Sequence, residues 1–166
     1  MREPTSVPGL TLRPATPEDT ESIAVLWHDG WRDGHIGHVP EALLEHRRPP
    51  DFVRRVPPRI PETTVAAISG RLAGFVTVRK DEVEQLYVAA EARGTGTADA
   101  LLGHAEDVIA RGFDTAWLSV VVGNARARRF YERSGWRDAA AIEYRAEIAG
   151  GSIPVPCRRY EKRVRT

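Results

Sequence analysis

Val83-Glu84-Gln85-Leu86-Tyr87-Val88-Ala89-Ala90-Glu91-Ala92-Arg93-Gly94-Thr95-Gly96-Thr97-Ala98 is the stretch around which the chain is organised. Its first half is short, rich in β-branched and aromatic residues, and bounded by turn formers, so it reads as a strand. Its second half is a glycine-bearing turn. Ala98, Leu101, Leu102, Ala105 and Ile109 then fall at i, i+3, i+4, i+7 and i+11, the spacing of one face of a helix. A strand, a Gly-rich turn and a helix in that order aim several free backbone N–H groups and the positive end of a helix dipole at one point. An anion with many oxygens fits there, and Gly94 and Gly96, lacking a Cβ, let it approach the main chain. The plainer reading is a helix start that needs glycine for its backbone angles.

Spacing excludes two phosphate motifs. A P-loop ends in Gly-Lys-Ser/Thr, whereas Gly96 is followed by Thr97-Ala98. The dinucleotide fingerprint has a Gly or Ala three residues after its second glycine; Asp99 stands there, and its charge opposes a phosphate. What fits is Arg93-x-x-Gly96-x-Ala98. A second block, Asn124-Ala125-Arg126-Ala127-Arg128-Arg129-Phe130-Tyr131-Glu132-Arg133-Ser134-Gly135-Trp136, follows after one helix and one strand. With these two blocks, in this order, the sequence resembles the GNAT superfamily of N-acetyltransferases, closely from about residue 83 to 136 and elsewhere only in the order of its elements.

Composition is compatible with this. The 166 residues are most simply one domain, with a loose lead-in over residues 1–9. Hydrophobic and charged shares of 42% and 28% are those of an ordinary globular protein, and a net charge of +1 makes no electrostatic case for nucleic acid. A single cysteine, Cys157, excludes an internal disulfide framework and suits a reducing cytoplasm, where the protein is expected to reside. No apolar run approaches 18 residues, so no membrane partner is expected.

Outward from the organising stretch, Leu10-Thr11-Leu12-Arg13 reads as a first strand and Thr16-Pro17-Glu18-Asp19 as a helix start, with Thr16 as N-cap. Residues 30–40, with three glycines and two histidines, read as a loop, followed by a short helix over 40–46. Irregular histidine spacing argues against a metal, and none is expected. The segment 47–62 holds five prolines and a cluster of arginines; it suggests an anionic substrate or partner, or else a solvated connector, and the connector is the favoured reading. Residues 63–69 and 72–78 form a hairpin across Ser69-Gly70-Arg71, and Lys80-Asp81 turns into the organising strand. Residues 116–122 are nearly all apolar, as in a strand covered on both faces and parallel to the organising one. Two more strands, from Trp136 to about Ile148 and from Val155 to about Arg163, close the chain. The expected architecture is therefore α+β: a mixed, mostly antiparallel sheet of about seven strands with four flanking helices and a splayed parallel pair.

The resemblance implies acetyl transfer from acetyl-CoA, as co-substrate, to an amine of a small molecule or peptide in a ternary complex. The turn Arg93, Gly94, Thr95, Gly96, Thr97, Ala98 would hold the pyrophosphate. The main chain of Leu86, Tyr87 and Val88 would pair with pantetheine, assisted by Asn124 and Phe130. Glu84, or water, would take the amine's proton, a bulge in the strand deciding where Glu84 and Gln85 point. Tyr131 would protonate the departing thiolate, and the N–H of Val88 would meet the carbonyl's charge. The loop after the first helix overhangs the acceptor pocket in such proteins, so Trp31 and His35 are the candidate substrate contacts; Trp31 could equally just pack against the first helix. Asn124 could equally be a plain N-cap. Look-alikes are commonly homodimers. The competing class is a non-catalytic acyl-CoA-binding sensor.

Overall fold

The computed structural model describes residues 7–166, so most of the expected lead-in lies outside the described residues. Seven strands make one sheet: β1 (Leu10–Pro14), β2 (Thr63–Ile68), β3 (Arg71–Arg79), β4 (Glu82–Val88), β5 (Thr115–Val121), β6 (Arg137–Ile148) and β7 (Gly151–Arg163), in the order β1-β2-β3-β4-β5-β7-β6. Every neighbouring pair is antiparallel except β4 and β5. This is the expected fold class. Ser69 and Gly70, both with positive φ, form the two-residue turn between β2 and β3, a geometry that matches the twist of the flanking strands.

Five α-helices are described: α1 (Thr20–His35), α2 (Glu41–Leu44), α3 (Pro49–Arg55), α4 (Thr97–Ala110) and α5 (Ala125–Arg133). On one face of the sheet, α1 and α3 bury Ile23, Trp27 and Phe52 against Val65 and Phe75, with Trp27 edge-on to Phe52 at 5.4 Å between ring centroids. On the other face, α4 buries Leu101, Leu102, Ala105 and Ile109 against Val76, Val83 and Leu118. Truncating a ring such as Phe52 would cost about 3–5 kcal/mol. No described helix is long and apolar enough to cross a membrane.

Two sequence expectations are corrected. Residues 30–35 are not loop but the last turns of α1, and the chain leaves the helix only at Ile36. Their glycines serve close packing rather than a turn. A Cβ on Gly30 would collide with the Tyr87 ring, and one on Gly34 would lie 2.6 Å from Nδ2 of Asn124. Segment 47–62 is not a solvated connector either. It forms α3 and a short 3-10 turn at Pro57–Glu62; Phe52 and Val56 are buried, and Arg47 and Arg59 are only 5% and 7% exposed. Four of the five prolines that suggested a connector, Pro49, Pro50, Pro57 and Pro58, occupy the first turns of these helices, where a missing N–H costs nothing; Pro61 lies inside the 3-10 turn.

Candidate active site

The parallel pair is joined at one end only. Glu82 pairs with Trp117, and the Trp117 N–H donates to the Asp81 carbonyl at 3.0 Å; past that point the strands part. The break in β4 begins at a bulge. Thr77 pairs with Gln85 but Val78 pairs with Val83, so Glu84 is the extra, unpaired residue. A bulge bends its strand and sharpens its twist, and here it turns Glu84 and Gln85 into the same cavity. Two cavities occupy the opening, and Leu86, Tyr87, Asn124, Ala127 and Tyr131 line both.

The outer cavity encloses about 380 Å³ against the Gly-rich turn. Arg93, Gly94, Gly96, Thr97 and Ala98 line it, with Val88 and Phe130 beside them. Gly94 and Gly96 have φ of 77° and 92°, left-handed angles that favour glycine. Gly96 is the N-cap of α4, and its carbonyl takes the first helical bond, from Ala100 at 3.0 Å, so the N–H groups just ahead lack helical acceptors. Thr95 does not line the cavity. Its hydroxyl donates to the Ala92 carbonyl at 2.5 Å and sits 2.8 Å from the Thr97 hydroxyl, bracing the turn from behind. Positive charge arrives from Arg93, whose Nη2 is 2.8 Å from Asp33, and from Arg126 and Arg133 of α5. Sequence reasoning missed these last two; their seven-residue spacing, two turns along the second motif's helix, was the available signal. Asn124 is the N-cap of α5. Its Oδ1 accepts from the Ala127 N–H at 3.2 Å, capping α5, while Nδ2 lies against Gly34, and both residues line the cavity. This set suits a polyphosphate-bearing ligand such as coenzyme A: bare backbone donors, a left-handed glycine cradle and three guanidiniums.

The inner cavity, of about 240 Å³, lies under α1 and α3. Trp31 is buried in α1 and stacks on His35, the rings 4.8 Å apart and 10° from parallel, and both line the cavity. His35 Nδ1 is 2.8 Å from the Trp31 carbonyl, and burial pulls its pKa down to about 4, so the ring is neutral at pH 7. Glu84, its side chain 4% exposed, is fully engaged: Oε1 accepts from Arg59 Nε at 2.5 Å and Oε2 is 2.9 Å from Arg79 Nε. Glu82 also lines this cavity; burial first, then the charge of Glu84, pushes its pKa up to about 7. It falls between the Lys80-Asp81 turn and the organising stretch, and sequence reasoning did not single it out. Tyr131 is buried with edge contacts to Phe130 and Trp136, and its hydroxyl bonds to no described residue. Burial raises its phenol above the usual tyrosine range. Cys157 lines the cavity too, its thiol pushed up to about 11 by burial and so poorly suited to attack. Among the described residues no group of three or more His, Cys, Asp or Glu could hold a metal ion.

The sheet thus opens at a parallel pair, with a glycine-lined cavity at one end of the opening and a second cavity at the other. Residues 22–136 match the model of the acetyltransferase (GNAT) family, and the chain belongs to that family. Solved structures share the fold. The GCN5-related N-acetyltransferase (aminotransferase, class II) of Rhodopseudomonas palustris is 20% identical, with a TM-score of 0.69 over 93% of this chain and 96% of that one. The PaiA N-acetyltransferase of Thermoplasma acidophilum, solved with coenzyme A, is 17% identical, with a TM-score of 0.65 over 93% and 98%. The spermidine N-acetyltransferase of Vibrio cholerae, solved with CoA and spermine, is 20% identical, with a TM-score of 0.64 over 93% and 95%. No curated protein sequence matches at a significant level.

Proposed function

We propose that this chain is an N-acetyltransferase that passes an acetyl group from acetyl-CoA directly to an amine of a small molecule or peptide. The observation that carries this reading is the one-ended joint of β4 and β5, whose opening connects the glycine cradle to the inner cavity through residues common to both. A module that merely held acyl-CoA would have no use for the inner cavity and its three carboxylates.

Acetyl-CoA, when bound, supplies a thioester carbonyl open to attack by an amine. The backbone N–H groups at the start of α4, together with Arg93, Arg126 and Arg133, hold its phosphates. The main chain of Leu86 to Val88 and Nδ2 of Asn124 hold its arm, and the Val88 N–H meets the charge that develops on the carbonyl oxygen. An ammonium has no lone pair, so a base must first take a proton. Glu84 was the sequence candidate, but both of its oxygens are occupied by guanidiniums. Glu82 suits the task better, directly or through one water: it lines the same cavity and titrates near neutrality. Glu84 then acts as the anchor of Arg59 and Arg79. Tyr131, protonated at working pH and facing both cavities, donates the proton that the departing thiolate takes.

Calorimetry with coenzyme A tests the cradle. Gly96→Asp places a side chain and a negative charge at the turn and forces a left-handed angle on a residue that resists it. The expected result is loss of coenzyme A binding in a protein that still melts cooperatively. Unchanged affinity in that folded variant would overturn the assignment, as would failure of wild type to release coenzyme A with any member of an amine panel.

A further inference from the structure

The inner cavity holds more positive charge than its own carboxylates neutralise. Arg47, Arg55, Arg59, Arg79 and Arg145 line it, against Glu82, Glu84 and Glu147. Glu84 engages Arg59 and Arg79, and Arg145 pairs with Glu143 at 3.6 Å. That leaves Arg47 and Arg55 without a carboxylate partner among the described residues. Arg47 donates to the carbonyls of His46 at 2.9 Å and Glu147 at 2.7 Å, but its buried Nε finds no acceptor. Arg55 is worse served, since neither its Nε nor its Nη1, both buried, has one. Its guanidinium lies 4.3 Å above the centroid of Trp27, with Phe52 at 5.9 Å. Burial, with Arg47 and Arg59 close by, pulls its pKa down to about 9.

Folded proteins leave few buried N–H groups unpaired, because each forfeits the bonds it made to water. Three such donors on two adjacent guanidiniums mark the place of an absent acceptor. Arg55 is held over the Trp27 ring and still has two donors, Nε and Nη1, without acceptors, and a guanidinium's planar set of N–H groups suits a carboxylate. On the reading that this site transfers acetyl groups, we infer that its acceptor carries a carboxylate beside the amine, seated on Arg55 and Arg47, so that the substrate class is a free amino acid. A phosphate would offer similar charge, and O-phosphoethanolamine in the test separates the two. The volume of about 240 Å³, below the roughly 300–1,000 Å³ of drug-sized sites, suits a small metabolite. A polyamine would set cation against cation. In the reaction the ammonium first gives one proton to Glu82, which passes it to solvent; the amine nitrogen then bonds to the acetyl carbon as the carbon–sulfur bond breaks, the thiolate takes a proton from Tyr131, and the second proton shed by the nitrogen as the amide forms returns to Tyr131 through water.

The test measures coenzyme A release for the common α-amino acids, their carboxamides, their decarboxylated amines, O-phosphoethanolamine and spermine, with coenzyme A calorimetry on the same protein. At least one free amino acid should be acetylated with a kcat/KM about tenfold or more above that of its amide. Arg55→Met should raise the KM for that amino acid about 10–100-fold, abolish the preference for acid over amide, and leave coenzyme A affinity unchanged. Arg55→Lys, keeping charge without the fork, should recover part of the loss. Equal use of amide, decarboxylated amine or spermine overturns the inference, and this holds on wild type alone if the variants fail to fold. Preference for O-phosphoethanolamine overturns the carboxylate assignment. Coenzyme A binding with no amino acid acetylated overturns the inference and spares the acetyl-transfer reading; no coenzyme A binding overturns both.

Discussion

At the scale of single residues, the site depends on which groups are protonated. Burial holds the Tyr131 phenol above its ordinary range, so it carries its proton at neutral pH. Tyr131→Phe removes only a hydroxyl that no described residue uses, so melting should be nearly unchanged. Turnover should fall by about 10²–10⁴-fold, the usual worth of a positioned acid, while coenzyme A binding persists; a rate within about twofold of wild type removes Tyr131 from the mechanism. Glu82 makes a second prediction. Its folded value, raised from 4.5 to about 7, means that the native state prefers the neutral acid. Its contribution to stability is therefore complete below about pH 4.5 and lost as pH rises through 7. Glu82→Gln mimics the neutral form, so the variant should match wild type near pH 4 and melt higher above pH 7. Glu82 is partly exposed, which limits the gap to about 1 kcal/mol, or roughly 2–4 °C. The same variant should lose the rise in rate that wild type shows through pH 7. The places of Tyr131 and Glu84 on the cavity wall were legible in sequence, the first because a motif pinned it and the second because a strand did. Glu82 and the buried arginines were not legible: their environments depend on burial by the folded chain and on charged neighbours, and burial is not a local property of sequence.

At the scale of elements, α1 determines how wide the site is. Gly30 and Gly34, one turn apart, allow this helix to lie directly on Tyr87 and Asn124. Gly34→Ala separates two views of the residue. In an ordinary helix interior it would stabilise by up to about 1 kcal/mol. Here the new Cβ meets Nδ2 of Asn124 at 2.6 Å, so thermal melting should show a loss of stability, and calorimetry a weaker grip on coenzyme A. A higher melting temperature with unchanged binding would show that the close approach has no importance. The strands, turns and motif helices were readable because each follows local rules of period, glycine and capping. The end of α1 was not, since glycine signals a turn unless something packs against it, and that something lies 57 residues beyond Gly30, at Tyr87, and 90 beyond Gly34, at Asn124. The proline-rich segment was misread for a related reason: proline at a helix start and proline in a loop are the same letter.

At the scale of the whole molecule, helices cover a continuous sheet on both faces, yet the sheet is not equally well sewn throughout. Strands β1 to β4 form one antiparallel panel, β5 to β7 another, and only the joint of Asp81 and Glu82 with Trp117 stitches their backbones. The panels are therefore free to breathe about that joint, and the amide protons of β4 past the bulge that face the opening are the natural reporters. In the protein alone they should exchange with deuterated solvent through small local openings, well before the amides shared by β2 and β3. A molecule of coenzyme A spanning the opening would act as an extra strand, tying the panels into one cooperative unit. Exchange at Leu86 to Val88 should then slow toward the rate of global unfolding. Amide exchange by mass spectrometry, with and without coenzyme A, reads this directly; equal protection in both states would mean that the two panels are bound together by something other than the ligand.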